Sequence, residues 1–167
     1  MEIKKFMTLM VAALAIMMGV SSCGSDDDDE PELALADQVA GSYIGNEVIM
    51  VGVSEESNGT ATYKFVKSSD SSVDMTIPSS GFGAMTVPPI EVKNIKLTKS
   101  GNTITCEPFS YEGMVTNAQG QEKTINLYNV VVMFSEKTVV VTFSLKYGSM
   151  PFLMETTFTG NPSICQM

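Results

Sequence analysis

Three cysteines, Cys23, Cys106 and Cys165, are the side chains best suited to covalent chemistry in this 167-residue chain. The chain contains no His, Arg or Trp, so all ten of its basic residues are Lys. Without His, neither a Ser-His-Asp nor a Cys-His catalytic arrangement can form, and His-ligated zinc and haem sites are excluded. Without Arg, bidentate binding of a carboxylate or phosphate is excluded as well. The composition therefore removes much of the usual enzymatic repertoire.

Carboxylates are the remaining groups that could act as a general acid and base. The candidates within or beside predicted strands are Glu47, Asp74, Glu107, Glu112 and Glu155. No motif places two of them together, and carboxylates on strands usually face water. We therefore predict that the protein is not an enzyme and has neither a metal site nor a cofactor.

The first 22 residues have the pattern of a targeting segment. Lys4 and Lys5 precede an apolar run over residues 6–20, which is too short for a membrane-spanning helix. The sequence Val20-Ser21-Ser22-Cys23 then resembles a bacterial lipobox. The resemblance implies that residues 1–22 are a lipoprotein signal peptide and that Cys23 receives acyl chains such as palmitate. Two or more such chains anchor a protein stably in a membrane. The alternative is an ordinary secretory peptide cleaved near a cysteine.

An acidic segment follows, so that residues 23–32 form a lipidated Cys and an acidic tether. The run Asp26, Asp27, Asp28, Asp29 and Glu30 lacks the ligand spacing of an EF-hand and is expected to be extended and solvated. Asp26 to Asp29 also resemble the export signal of surface lipoproteins in gut-type Gram-negative anaerobes. That resemblance implies an outer-membrane protein at the cell surface, with the periplasmic face as the alternative.

The net charge of −9, with no basic cluster, argues against binding to nucleic acid or to anionic lipid headgroups. Contact with the membrane is therefore expected through the lipid on Cys23 alone. Because disulfides persist in exported proteins, Cys106 and Cys165 are candidates for a disulfide bond. The alternative is two separate thiols.

Residues 33–160 show the period-two alternation of half-buried strands, after one helical turn at residues 33–39. A strand in 103–111 is interrupted at Pro108, which indicates an edge or a bend. A change of phase near Lys93-Asn94 predicts a β-bulge, and Asn58-Gly59 predicts a hairpin turn. The predicted strands are 42–53, 60–67, 72–77, 90–98, 103–111, 124–134, 138–145 and 152–159. About eight short strands with short connections favour an all-β, antiparallel up-and-down barrel, followed by a polar tail at 161–167.

Two blocks carry a family likeness: Val39-Ala40-Gly41-Ser42-Tyr43-Ile44-Gly45 and residues 90–98, Ile-Glu-Val-Lys-Asn-Ile-Lys-Leu-Thr. Together they resemble the calycin-like, or lipocalin-like, barrel domain of bacterial surface lipoproteins. In lipocalins a Trp of the first strand packs against an Arg of the last. Tyr43 stands at the Trp position here, and Lys146 is the candidate replacement for the Arg.

Such a barrel could bind a small apolar or amphipathic ligand in its interior. The candidate pocket residues are Tyr63, Phe65, Met75, Phe143, Met154 and Phe158. The alternative is a filled barrel that acts as a structural or interaction accessory of an outer-membrane protein complex. Its candidate contacts lie in the irregular loop at residues 79–89 and are Phe82, Met85 and Val87.

Overall fold

The structure is a computed structural model that describes residues 32–82 and 85–163. Within these residues one short helix, α1 (Leu35–Val39), precedes twelve strands. The strands are β1 (Gly41–Val51), β2 (Ser54–Ser69), β3 (Ser72–Ile77), β4 (Ser80–Phe82), β5 (Met85–Val87), β6 (Ile90–Lys96), β7 (Thr98–Ser100), β8 (Thr103–Thr105), β9 (Phe109–Thr116), β10 (Glu122–Ser135), β11 (Thr138–Tyr147) and β12 (Met154–Pro162). The predicted helical turn and the all-β class are confirmed.

Ten of these strands form one antiparallel sheet with the order β6-β3-β2-β1-β12-β11-β10-β8-β7, and β9 also pairs with β10. The strands β8 and β9 occupy one position, because both pair with β10 at successive points along its length. The strand β6 continues through Leu97 into β7, which pairs with β8 and so joins the two ends of the sheet. The result is a nearly closed up-and-down barrel with eight strand positions, as predicted.

The up-and-down order gives the barrel two distinct ends. The helix end carries α1, the β7–β8 hairpin and the turns after β2 and β10. The far end carries the turns after β1 and β9, the loop between β11 and β12, and the β4–β5 hairpin. Both described termini lie at the helix end, where Ala36 N donates to Asp70 O and Ser163 N donates to Ser42 O.

The core lies inside the barrel and follows the predicted alternation closely in β11. Val139, Val141, Phe143 and Leu145 are buried, while the residues between them are partly exposed. Burial of each such side chain contributes about 1.5–3 kcal/mol to folding. The alternation therefore fixes which face of the strand points inward.

The predicted bulge at Lys93-Asn94 is confirmed. Val73 pairs with Ile95 and Met75 with Val92, so Asp74 faces two residues of β6 instead of one. Asn94 has a φ of 56°, and its backbone N donates to Asp74 Oδ1 at 2.9 Å. Asn tolerates this left-handed conformation better than most residues, which explains the bulge at this point.

Three local expectations are wrong. Asn58 and Gly59 lie inside β2, and the chain turns instead at Gly52, whose φ of 62° suits a tight turn. The loop at residues 79–89 contains the β4–β5 hairpin. Phe152, predicted to begin the last strand, precedes β12 and is 36% exposed.

The predicted replacement of the lipocalin Arg by Lys146 is also wrong. Lys146 pairs with Asn126 towards the far end, whereas Tyr43 pairs with Pro162 at the helix end. The Tyr43 hydroxyl instead donates to the Val39 carbonyl at 3.0 Å. The Tyr43 ring lies edge-on to Phe65, so aromatic packing takes the place of the Trp–Arg contact.

Candidate functional site

The six predicted pocket residues all lie in the barrel interior. They are Tyr63, Phe65, Met75, Phe143, Met154 and Phe158, and none is more than 5% exposed. The rings of Tyr63 and Phe158 are stacked with centroids 4.0 Å apart, and Phe65 meets Phe134 edge-on at 4.9 Å. The structure therefore brings these residues together as a packed core. Their role as a ligand pocket stays a prediction.

One carboxylate breaks the rule that strand carboxylates face water. Glu47 points into the barrel, is 8% exposed, and accepts a 2.6 Å hydrogen bond from the Tyr63 hydroxyl. Burial raises the pKa of Glu47, and the bond from Tyr63 partly offsets this by lowering it. Burial, together with the charge of Glu47, also raises the pKa of Tyr63.

The barrel has a gap in its backbone pairing, and an open cleft lies there. The edge of β9 opposite β10 and the edge of β6 opposite β3 are not paired with each other or with any other described strand. We call the cleft between them the seam cleft, defined by residues 93–96, Thr98 and residues 106–111. Its volume is about 580 Å³. Ligand pockets have volumes of about 300–1,000 Å³, so the seam cleft has the size of a binding site.

The base of the seam cleft is apolar and its rim is charged. Ile95 is buried, and Phe109 and Tyr111 are half-buried and pack against the core. On the β6 side, Lys93 forms ion pairs with Asp74 at 3.2 Å and with Glu91 at 3.0 Å. The neighbouring Lys96 makes no ion pair within the described residues. The cleft therefore combines apolar side chains with Lys96 on its β6 wall and Glu107 in the segment that leads to β9.

Cys106 lies buried at the base of the seam cleft and is bonded to no cysteine within the described residues. Its Sγ accepts a hydrogen bond from Val132 N at 3.3 Å, and burial raises the pKa of the thiol. A raised pKa keeps the thiol protonated and unreactive. Its predicted disulfide partner, Cys165, lies outside the described residues, so that pairing stays a prediction.

The loop candidates lie at the far end, away from the seam cleft. Val87 is buried and Met85 packs partly against the core, so the β4–β5 hairpin caps the barrel. Phe82 belongs to β4 and pairs with Met85, while its side chain lies outside the description. Val87 belongs to the same buried core as the six interior residues, and Met85 packs against that core.

The remaining site predictions fall on residues that the structure leaves undescribed. Cys23 and Asp26 to Asp29 lie in that part of the chain. In residues 32–82 and 85–163, no cluster of Cys, Asp and Glu has the arrangement of a metal site. No helix within those same ranges has the length and apolarity needed to cross a membrane.

Sequence reasoning missed both the seam cleft and the buried Glu47. The Pro108 break and the bulge at Lys93-Asn94 are the two sequence signals that flank the cleft. Each was interpretable as a local irregularity, but no local pattern shows that the two irregular strands face each other. Glu47 carries no sequence signal beyond its place in the alternation of β1.

The fold is similar to that of a protein of known structure. An inferred outer membrane protein of Bacteroides fragilis matches with a TM-score of 0.59 and 22% identity, over 77% of this chain and 53% of that one. This chain thus spans about half the length of that relative. A redesigned β-barrel (TM-score 0.40, 12% identity, 79% of this chain and 97% of that one) and the YwiB protein of Bacillus subtilis (0.36, 12%, 73% and 90%) are more distant. No curated protein matches the sequence.

The sequence itself matches a family of barrel domains. The sequence model of the calycin-like β-barrel domain matches residues 39–161. This range extends from the last residue of α1 into β12. The family match, the two sequence blocks, the eight strand positions and the up-and-down order all indicate the same fold. The chain belongs to the calycin-like β-barrel domain family.

Proposed function

We propose that this protein is a non-catalytic lipoprotein, anchored in the outer membrane through Cys23 and displayed at the cell surface. Its barrel acts as an accessory that binds a protein partner through its outer surface. The observation that carries this proposal is the packed interior, in which aromatic rings stack where a calycin ligand would lie. The sequence Val20-Ser21-Ser22-Cys23 supports the anchor. The similar fold of the inferred outer membrane protein of Bacteroides fragilis supports the compartment.

We propose that the partner binds at the far end of the barrel or at the side that carries the seam cleft. The described chain enters the barrel at the opposite, helix end through α1.

The anchor is tested by Cys23→Ala in the native host. We expect the unsubstituted protein to incorporate labelled palmitate, to fractionate with the outer membrane and to be cleaved by protease added to intact cells. Cys23→Ala should lose the label and the membrane association, while Cys106→Ala, the matched control, should keep both. Membrane association without Cys23 would contradict the anchor. Protection from protease in intact cells would place the protein on the periplasmic face.

A second function is favoured by the seam cleft, which could hold a small apolar or amphipathic ligand outside the packed core. Its volume of about 580 Å³ and its base of Ile95, Phe109 and Tyr111 suit such a ligand.

Native mass spectrometry of gently extracted protein, together with cross-linking in intact cells, separates the two functions. An accessory should carry no small molecule and should give one recurrent cross-linked protein. A small molecule that is retained in stoichiometric amount, without a recurrent protein, would overturn the accessory role in favour of ligand binding.

A further inference from the structure

The seam between β6 and β9 is wider than the spacing of directly paired strands. Hydrogen-bonded strands lie about 4.8 Å apart, so two strands that flank a third lie about 9.6 Å apart. Almost none of the Cα atoms of β6 and β9 come within 8 Å of each other. The two strands are therefore too far apart to pair directly, and a separation above 8 Å is compatible with one intervening strand.

The inward face of β9 is incomplete. Phe109, Tyr111 and Val115 point inward and pack on the core, yet each is only half-buried, whereas every inward residue of β11 is buried. The Tyr111 ring lies over Gly113 of the same strand. A Cβ added at Gly113 would come within 2.7 Å of the Tyr111 hydroxyl. The inward side chains of β9 are thus less covered than those of β11.

The open edges differ in how well they are protected. Natural proteins protect exposed strand edges with bulges and charged residues, because an open edge pairs readily with another chain. The edge of β6 has both, in the bulge at Lys93-Asn94 and in its lysines. Residues 111–116 of β9 pair regularly with β10, and β9 contains no Pro or Lys and has Glu112 as its single charged residue. This leaves β9 as the edge that can accept a strand.

We infer that the seam cleft accepts an extended segment of a partner protein, which adds as a strand antiparallel to β9. Extended peptides commonly bind this way, with backbone hydrogen bonds giving affinity and alternate side chains giving specificity. The bound segment carries apolar side chains on its inner face, because they contact Ile95, Phe109 and Tyr111. Its outer face carries an acidic residue beside Lys96, the cation that no described residue neutralises. The inference rests on the proposed accessory function and names the kind of segment that is bound.

The test uses the full-length lipoprotein in detergent and an eight-residue peptide with alternating Val and Thr and one central Glu. We expect the peptide to slow amide hydrogen exchange in residues 109–116 by about tenfold or more, since edge amides become hydrogen-bonded. The same peptide, N-methylated on alternate residues along one edge, keeps its side chains but cannot donate from that edge. It should give no protection.

A charge exchange tests the register. Lys96→Glu should weaken binding of the Glu peptide by about fivefold, and a peptide with Lys at that position should restore it. Lys137→Glu, in the turn after β10 and outside the seam cleft, is the matched control and should leave binding unchanged.

Three results would overturn the inference. Equal binding of the N-methylated peptide would show side-chain binding without strand addition. Concentration-dependent protection of β9 in the absence of peptide would identify a second copy as the occupant. A cellular partner that cross-links only to the far end would preserve the accessory function while removing the seam as its site.

Discussion

At the scale of single residues, the Glu47–Tyr63 pair is the chemically unusual feature of this barrel. Among the described residues, Glu47 is the one charged residue that is buried. A buried carboxylate is costly unless it is hydrogen-bonded, and the Tyr63 hydroxyl supplies that bond from the neighbouring strand. The stacking of Tyr63 on Phe158 holds the hydroxyl in place. One hydrogen bond thus allows an ionisable group to remain within an aromatic core.

Tyr63→Phe isolates this hydrogen bond, because the ring and its stacking on Phe158 are kept. At about pH 8 we expect a loss of about 1.5–3 kcal/mol in the free energy of unfolding, the usual value of a bond to a charged group. Burial already raises the pKa of Glu47, and removal of the bond from Tyr63 raises it further. A carboxyl whose folded pKa is raised favours folding at low pH and loses that contribution as the pH rises through the folded pKa.

The loss should therefore be smaller at about pH 5.5, where more of the buried carboxyl is protonated. Urea denaturation at both pH values measures it. Tyr128→Phe, at a residue 37% exposed on β10, is the control and should be neutral at both. Equal losses at the two pH values for Tyr63→Phe would mean that the protonation of Glu47 does not change between them.

At the scale of strands, two glycines of the β1–β2 hairpin have opposite surroundings. A Cβ added at Gly45 would overlap the backbone of Thr159 and Gly160 in β12, where β1 and β12 come together. A Cβ added at Gly59 would meet nothing within 4 Å. The first glycine is thus required by close approach of two strands, and the second is not.

Gly45→Ala should therefore cost about 1–3 kcal/mol or more in the free energy of unfolding, because β1 must move away from β12. Gly59→Ala should be neutral or stabilise by about 0.4–1 kcal/mol, since it reduces the entropy of the unfolded chain. Thermal and urea unfolding of the two variants measure the difference. Similar values for both would contradict the close packing of β1 on β12.

Strand alternation is the part of the fold that the sequence predicts well, because burial of each inward residue stabilises the folded state independently of distant contacts. The faces of β11 and the bulge in β6 were predicted for this reason. The start of β2 was not, because Asn58-Gly59 is a turn signal that pairing with β1 overrides. The seam cleft was not predictable, since it depends on two strands 13 or more residues apart failing to meet. Only the closure of the whole sheet decides that.

At the scale of the whole molecule, the packed core and the gap in strand pairing lie in different parts of the barrel. The aromatic cluster of Tyr43, Phe65 and Phe134 fills the interior near the helix end, and Tyr63 stacks on Phe158 further along. The seam cleft opens on the side instead, between β6 and β9. Under the proposed accessory function, mutations in the interior should alter stability rather than partner choice.

A cavity made in the interior tests this division. Phe158 is fully buried against Tyr63, and its replacement by Ala should cost about 3–5 kcal/mol in the free energy of unfolding. The space left is apolar on most sides and should take up xenon, as dry engineered cavities do. The unsubstituted barrel should show no interior xenon site, because its rings already fill that volume. If Phe158→Ala does not fold, Phe158→Leu, which leaves a smaller space, serves in the same measurement of xenon uptake by NMR or in pressurised crystals. Interior xenon in the unsubstituted protein would contradict the filled barrel and return the ligand site to the six interior residues.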